Sequence, residues 1–311
     1  MKKKQPAKTV EDFENLNAAR WRSAMLRGDF EAAWLESDRA LNANIDYRQR
    51  PLHLRAVWQG APVDGRHLLI RCWRGLGDTI QFIRYIPLLV PRVASIIVEA
   101  DELLFPILET LAESLQLVPL GEAFPDQDAI EIECTELPFV FRTTLSTIPA
   151  RVPYLNIETP QIDLKQKALK VGICWRGGDW VLARAIPLVS FRPLQTCKAV
   201  FFQLQRGPGR LEMATAHFPF FNPDDNSPSM LNTAQLIQAL DLVISIDTMI
   251  AHLAGALGKP VWTLLHDQPD WRWMDDRDDS PWYPTMRLFR QKTPGDWDDV
   301  IENVRAGLAG W

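Results

Sequence analysis

The chain of 311 residues contains only four cysteines, and they stand far apart. Cys72, Cys134, Cys174 and Cys197 show none of the short spacings by which cysteines hold a metal ion. The sequence therefore predicts no metal site, and we expect the four cysteines to be reduced thiols in the core.

A long apolar segment and an excess of positive charge are also lacking. No run approaches the 18 or more apolar residues that are typical of a membrane-spanning helix. Residues 1–4, MKKK, resemble the start of a signal peptide, but a polar segment follows them in place of an apolar one. A formal net charge of −5 excludes an extended basic surface for nucleic acid. These absences favour a globular protein of the cytoplasm.

Residues 241–265 carry the most informative pattern that is present. An apolar run over 241–246 predicts a buried strand, and it leads directly into Asp247, Thr248 and a helix that ends at Gly258. The first amides of such a helix lack partners and lie at the positive end of its dipole. With the Thr248 hydroxyl and the His252 imidazole, this pattern suits a diphosphate. The alternative stays open that Asp247 only caps the helix and that His252 packs at the surface.

A second strand, turn and helix lie in the other half of the chain. Residues 67–73 predict a strand, Gly75 and Gly77 a tight turn, and residues 79–90 an amphipathic helix. Asp78 stands at the helix N-terminus, either as a functional carboxylate or as a cap. Two such anion sites predict two facing α/β domains with ligands between them.

The remaining patterns divide the chain into three parts. Residues 13–27 and 30–43 predict two helices about a Gly28-Asp29 turn, and residues 28–44 resemble the second half of a tetratricopeptide repeat. We predict a helical extension over 1–50, a first α/β domain over 51–160 and a second over 161–311. The predicted strands cover residues 67–73, 95–100, 115–120, 129–134, 170–175, 199–205, 218–222, 241–246, 260–265 and 287–291.

Five blocks together resemble one known family. They are residues 73–89, 152–155, 170–178, 240–265 and 269–291. In these blocks the chain is similar to glycosyltransferases of the heptosyltransferase superfamily, glycosyltransferase family 9, and above all to its bacterial branch associated with tetratricopeptide repeats. The resemblance implies the GT-B fold: two facing Rossmann-like domains, with the donor held by the C-terminal one and the acceptor facing the N-terminal one.

The resemblance also implies roles for particular residues. Asp78 matches the catalytic carboxylate that takes the proton of the acceptor hydroxyl, beside the glycine turn of Gly75 and Gly77. The implied donor-binding residues are Arg176, Arg184, Asp247, Thr248, Met249 and His252. The closing helix, residues 296–310, is expected to cross back onto the N-terminal domain. The family uses a nucleotide-diphospho sugar as substrate, inverts the transferred sugar and uses no metal or other cofactor.

Expected partners follow from this chemistry. They are a nucleotide-sugar donor and an acceptor that is a glycan, a lipid-linked molecule or a protein, with no nucleic acid. Because many glycosyl acceptors are lipid-linked, contact with the inner membrane stays open beside the cytoplasmic location. The N-terminal hairpin is a candidate docking surface for another protein.

Departures from the family pattern keep two alternatives open. Residues 181–185 keep one arginine, Arg184, but lose the polar run that lies beside the donor phosphates in the family, so a nucleotide-sugar-binding pseudo-enzyme is one alternative. The other is an NAD-binding enzyme, since a strand ending at Glu99 follows the glycine turn. Ile80 stands against it, because it occupies the position where a small residue should allow close helix packing.

Three further groups receive provisional interpretations. We expect Arg206 to be a solvated surface residue. The three tryptophans of residues 271–282 are expected to pack the domain rather than to stack on a ligand. The acidic loop 275–279 is interpreted as a solvated loop whose carboxylates pair with Arg272 and Arg277, rather than as a metal site.

Overall fold

The structure is a computed structural model. It describes residues 10–43, 55–111, 115–123, 128–158, 168–178, 182–221 and 229–311. Within these ranges the chain forms an N-terminal helical hairpin and two parallel sheets with helices between their strands.

The helical hairpin consists of α1, Val10–Leu26, and α2, Phe30–Asn42. Gly28 joins them with φ +74°, a left-handed conformation that favours glycine. Asp29 then caps α2 by accepting a hydrogen bond from the Ala32 amide. The predicted pair of helices and their turn are therefore present.

The first sheet has four parallel strands in the order β3-β2-β1-β4. The strands are β1, His67–Arg71; β2, Ser95–Ala100; β3, Gln116–Pro119; and β4, Ile130–Glu133. β1 is buried after its first residue, which explains its nearly unbroken apolar sequence.

The second sheet has five parallel strands in the order β6-β5-β7-β8-β9. They are β5, Leu169–Cys174; β6, Ala199–Gln203; β7, Leu242–Ile246; β8, Val261–Leu265; and β9, Met286–Arg290. β7 and β8 are buried along their whole length. The strand predicted over 218–222 is wrong within the described residues, because Phe220 makes only an isolated bridge with Phe201.

Most of the connecting helices are short. They are α3, Leu76–Phe82; α4, Ile86–Leu89; α5, Phe105–Leu108; α6, Leu137–Val140; α7, Met213–Ala216; α8, Met230–Ala239; α9, Met249–Ala256; and α10, Asp298–Ala309. The single helix predicted over 79–90 is wrong: a 3₁₀ turn, Ile83–Tyr85, separates α3 from α4. Pro87 lies in the first turn of α4, where its missing amide hydrogen leaves no bond unmade.

One large apolar core connects the two halves of the molecule. It contains side chains of the hairpin, of the first sheet and of one face of the second sheet, for example Met25, Phe30, Ile70, Val98, Val243, Ala251 and Trp282. A second core lies on the other face of the second sheet. Two parallel α/β layers that meet in this way match the predicted GT-B fold class.

The position of the C-terminal helix differs from the expectation. The buried residues of α10 belong to the second core, where they pack with residues such as Trp262, Phe289 and Leu188. Glycine at position 307 lets α10 pack closely on Trp262, because a Cβ at that position would lie only 2.7 Å from the Trp262 ring. α10 is therefore an element of the second sheet layer, and its predicted crossing to the first layer is wrong.

The hairpin contacts both halves of the molecule. Trp21 packs edge-on against Trp271 of the second half, with ring centroids 5.3 Å apart. Trp34 packs against Phe139 of the first half and donates a hydrogen bond from Nε1 to the Thr143 carbonyl. None of the helices in the described ranges is both long and apolar enough to cross a membrane.

Candidate functional site

A cleft of about 610 Å³ opens where the carboxyl ends of the two sheets face each other. Such edges are where open α/β sheets bind ligands, because the strand ends and helix N-termini converge there. The structure brings all of the sequence-predicted site residues to this cleft: Gly75, Gly77, Asp78, Arg176, Arg184, Asp247, Thr248, Met249 and His252.

The wall from the first half is built by the β1–α3 turn. Asp78 accepts a hydrogen bond from the Gly75 amide at 3.1 Å, so the carboxylate caps its own helix. This turn therefore presents a carboxylate to the cleft, and the anion site predicted here stays a prediction. Gly77 lies against α9, and a Cβ there would be 2.9 Å from His252 Cδ2.

Asp78 forms an ion pair with Arg272, which comes from the second half. Arg272 Nη2 lies 2.6 Å from Asp78 Oδ1, Nη1 donates to Gln81 Oε1 at 2.6 Å, and Nε donates to Asp270 Oδ1 at 2.8 Å. Burial alone would raise the pKa of Asp78, but the Arg272 charge and hydrogen bond hold it below its ordinary value. Asp78 is thus an ionised carboxylate held by a nearly buried guanidinium.

The wall from the second half begins where β7 runs into α9. Thr248 Oγ1 caps α9 by accepting a hydrogen bond from the Ile250 amide at 3.2 Å. Asp247 is buried, and its Oδ2 atom lies 3.5 Å from Arg184 Nη1. Burial raises the pKa of Asp247, an effect that Arg184 and Arg272 oppose.

His252 lies deeper than the sequence suggested. Its side chain is 3% exposed and stacks on Trp273 at 5.4 Å. Nδ1 lies 2.9 Å from the Tyr283 hydroxyl, and Nε2 lies 3.8 Å from Asp247 Oδ1. Burial, followed by the charges of Arg272 and Arg84, lowers the pKa of His252 well below its ordinary value. The surface position that was the alternative for this residue is therefore wrong, and the imidazole is neutral.

Two arginines approach the cleft from the loops of the second sheet. Arg176 follows β5, and Gln205 holds its backbone by accepting from the Arg176 amide at 2.9 Å and donating to its carbonyl at 2.9 Å. Arg206 also lines the cleft and donates to Thr233 Oγ1. The interpretation of Arg206 as a solvated surface residue is wrong for this reason.

The tryptophans and the acidic loop lie outside the cleft. Trp271 and Trp282 pack against each other and against Phe82, and Trp273 is fully buried, which confirms that they pack the domain. In the acidic loop Arg277 pairs with Asp279, as expected. The expected pairing of Arg272 with this loop is wrong, because its guanidinium contacts the cleft residues Asp78 and Asp270.

The first sheet offers little to a dinucleotide. Glu99 is 1% exposed, and its carboxylate accepts hydrogen bonds from Arg71, the Trp73 indole and the Gly121 amide. An acid that recognises a ribose must turn toward the ligand. The engaged position of Glu99 therefore argues against the NAD alternative.

Three residues of the cleft region escaped sequence reasoning. Arg272 and Tyr283 contact partners that are distant in the chain, and Gln205 acts on a loop that is 29 residues away. For Arg272 and Tyr283 the available signal was the block 269–291 as a whole, which marked a family resemblance without separating ligand contacts from packing. Gln205 lies outside that block and ends the predicted strand 199–205.

Sequence comparison supports the family resemblance. Residues 228–294 match the description of glycosyltransferase family 9 (heptosyltransferase). Protein FlbA of Caulobacter vibrioides is 26% identical over 302 residues, which cover 81% of this chain and 48% of FlbA. The chain therefore spans about half the length of this relative.

Solved structures with the same fold include two proteins of E. coli. ADP-heptose lps heptosyltransferase II has a TM-score of 0.53 at 13% identity, covering 78% of this chain and 99% of that structure. The iron-containing dodecameric glycosyltransferase TibC has a TM-score of 0.51 at 15% identity, covering 76% and 66%. The resemblance to the heptosyltransferase family and the GT-B fold are thus confirmed.

Proposed function

We propose that the chain is a glycosyltransferase that moves a sugar from a nucleotide-diphospho sugar to an acceptor hydroxyl. The observation that carries this proposal is the composition of the cleft, which places a carboxylate on one wall and arginines with a helix N-terminus on the other. Displacement of a nucleoside diphosphate needs both: a base for the hydroxyl proton, and positive charge for the leaving group.

The donor side of this proposal is the second wall. Arg176 and Arg184 supply positive charge, and the N-terminus of α9 adds its dipole beside Thr248. Among the described residues, Arg184 Nε and Asp247 Oδ2 are buried without a hydrogen bond. Buried polar atoms are normally bonded, so these two atoms are suited to a ligand. Because the protein supplies this charge, the proposed reaction needs no metal ion.

The acceptor side is the first wall. Asp78 lines the cleft on the first wall, and Arg184 and Thr248 line it on the second. In the proposed reaction a hydroxyl bound to Asp78 attacks the sugar from the face opposite the diphosphate. Attack from that face inverts the anomeric centre. Arg272 keeps Asp78 ionised and oriented before the acceptor binds. The acceptor itself is proposed only as a hydroxyl-bearing molecule.

A thermal-shift screen tests the donor proposal. ADP-, UDP- and GDP-linked sugars are compared, with ADP-linked sugars first because heptosyltransferase II of E. coli is named for ADP-heptose. A ligand at about 100 times its Kd stabilises the native state by about 2.7 kcal/mol. The anomeric configuration of a released or transferred sugar, followed by NMR, then tests inversion. No shift with any nucleotide or nucleotide sugar would contradict the proposal.

One observation favours a second candidate, a nucleotide-sugar-binding protein without turnover. The ion pair with Arg272 lowers the pKa of Asp78, which makes it a weaker base. The loop 181–185, which lacks the polar run of the family, also favours a protein without turnover. Residue 181 lies outside the described ranges. Tight donor binding by the wild type, with neither transfer nor hydrolysis, would favour this candidate.

A further inference from the structure

The His252 ring lies between two groups that differ in hydrogen-bonding capacity. Nδ1 faces the Tyr283 hydroxyl at 2.9 Å, and Nε2 faces Asp247 Oδ1 at 3.8 Å. A hydroxyl can donate or accept, whereas a carboxylate only accepts. Arg184, 3.5 Å from the same carboxylate, favours its ionised form. The Asp247 carboxylate near Nε2 can therefore only accept a hydrogen bond. This favours the tautomer of His252 that carries its proton on Nε2.

A neutral imidazole has a single proton to place. His252 is buried, and the positive charges of Arg272 and Arg84 nearby add to the effect of burial in disfavouring a second proton. If the one proton is on Nε2, then Nδ1 is a bare acceptor in a buried position and needs a donor. Among the described hydrogen bonds of His252, Tyr283 is the group that can supply it.

We propose that Tyr283 is a positioning residue that donates its hydroxyl proton to Nδ1 of His252 and so holds Nε2–H toward Asp247 and the cleft. The tautomer is a property of the free protein. Its use rests on the proposed function: a nucleotide bound in the cleft would receive a hydrogen bond from Nε2–H to a phosphate oxygen.

Tyr283 is itself held in place from two sides. Its ring packs onto the backbone of α9 at Gly255, where a Cβ would lie 2.5 Å from Tyr283 Cδ1. The buried guanidinium of Arg84 lies 4.4 Å from the ring centroid on another side. A cation near a phenol ring withdraws electron density from it and strengthens the hydroxyl as a donor. Both contacts fix the position of the Tyr283 hydroxyl oxygen beside His252.

The test compares Tyr283→Phe with the matched control Tyr85→Phe. Tyr85 is also buried and also loses a hydroxyl contact, but its partner is Thr143 rather than His252. Protein labelled with ¹⁵N-histidine is observed by NMR through couplings between ring nitrogens and ring protons, and His252→Gln assigns the signal among the five histidines of the chain. In the wild type and in Tyr85→Phe we expect His252 to carry its proton on Nε2, with Nδ1 hydrogen-bonded.

In Tyr283→Phe the Nδ1 signal should move to that of an unbonded nitrogen. A wild-type His252 with its proton on Nδ1, or doubly protonated at neutral pH, would overturn the proposal. An Nδ1 signal that is unchanged in Tyr283→Phe would also overturn it.

Calorimetry with ADP on the same proteins tests the consequence for binding. Loss of one aligned hydrogen-bond donor should raise the Kd of Tyr283→Phe about 3- to 10-fold, with Tyr85→Phe unchanged. Equal affinities in all three proteins would contradict a positioning role. A wild type that binds none of ADP, UDP and GDP would contradict the proposed nucleotide site, while the NMR result in the free protein would still decide the tautomer.

Discussion

The two walls of the cleft use the same local fold for opposite chemistry. In each, a buried parallel strand runs into the N-terminus of a helix, at α3 in the first wall and at α9 in the second. In the first wall Asp78 closes the helix end with its own carboxylate. In the second, Thr248 caps one amide, while arginines and a neutral His252 surround the helix end. The side chain at the start of the helix, Asp78 in one wall and Thr248 in the other, therefore helps to decide whether a strand–turn–helix unit presents negative or positive charge to the cleft.

The largest expected effect comes from removing the charge of the first wall. Asp78→Asn keeps the size and capping ability of the side chain but loses the proton acceptor. Transfer, or donor hydrolysis to water, should fall about 10²- to 10⁴-fold. ADP affinity by calorimetry should stay within about twofold, since the proposed nucleotide site belongs to the second wall. A variant that retains full activity would show that Asp78 is only a helix cap.

Breaking the ion pair that joins the walls should mainly lower stability. Arg272→Met leaves Asp78 without its charged partner and should reduce the free energy of unfolding by about 3 kcal/mol. The control Arg277→Met, whose partner Asp279 is 65% exposed, should cost less than about 1 kcal/mol. Urea denaturation at pH 7 measures both, and equal losses would contradict the special position of Arg272.

The same pair predicts a pH dependence with a definite sign. The folded-state pKa of Asp78 lies below its unfolded value, so its stabilisation is present above the unfolded pKa of about 4 and is lost as the pH falls through the folded pKa. The stability difference between the wild type and Arg272→Met should thus be constant near neutrality and should shrink below about pH 4. A difference that grows in acid would contradict this assignment.

Separating the walls should have a smaller effect. In Gly77→Ala the new Cβ would lie 2.9 Å from His252 Cδ2 and 3.4 Å from the backbone of Met249, so α3 must move away from α9. We expect a loss of about 1–3 kcal/mol in unfolding free energy. In the control Gly177→Ala the Cβ would lie 3.3 Å from a Thr248 methyl group and should cost less. Equal stabilities of Gly77→Ala and the wild type would show that the walls are not tightly packed.

The smallest effect concerns one charge of the second wall. Arg184→Met should raise the Kd for ADP about tenfold, the result of losing one charge-assisted contact of about 1.4 kcal/mol. Arg192→Met is the control, because Arg192 donates to the Ala216 carbonyl and does not line the cleft. Calorimetry distinguishes the two variants, and an unchanged Kd for Arg184→Met would remove this residue from the nucleotide site.

Local patterns in the sequence predicted much of this arrangement. Each strand–turn–helix unit has an apolar strand followed by polar residues at the helix start, and the first unit also has glycines at its turn. Because these residues are consecutive in the chain, the local sequence was sufficient to predict both units. Nine of the ten predicted strands correspond to strands of the two sheets. The residues next to a helix in the chain, however, do not indicate how deeply other segments will bury it. A surface position was therefore open for His252 as an alternative, although Trp273 and Tyr283 bury it.

Contacts between distant segments were the least predictable. Asp78 and Arg272 are 194 residues apart, and neither has a neighbour that indicates the other. Likewise, amphipathicity predicted α10 but not which layer it covers, since the same apolar stripe can pack on either sheet. Arg206 was dismissed because a lone arginine after a strand is usually exposed.

The packing of the helical hairpin sets the order in which this chain can fold during synthesis. Arg22 donates to the carbonyl of Pro269, a separation of 247 residues. At a synthesis rate of 5–20 residues per second, the hairpin waits about 12 to 50 s for that partner to be made. During this interval the apolar faces of Trp21, Met25 and Phe30 have no complete core, so we expect nascent chains to rely on chaperones until the segment around Trp271 leaves the ribosome.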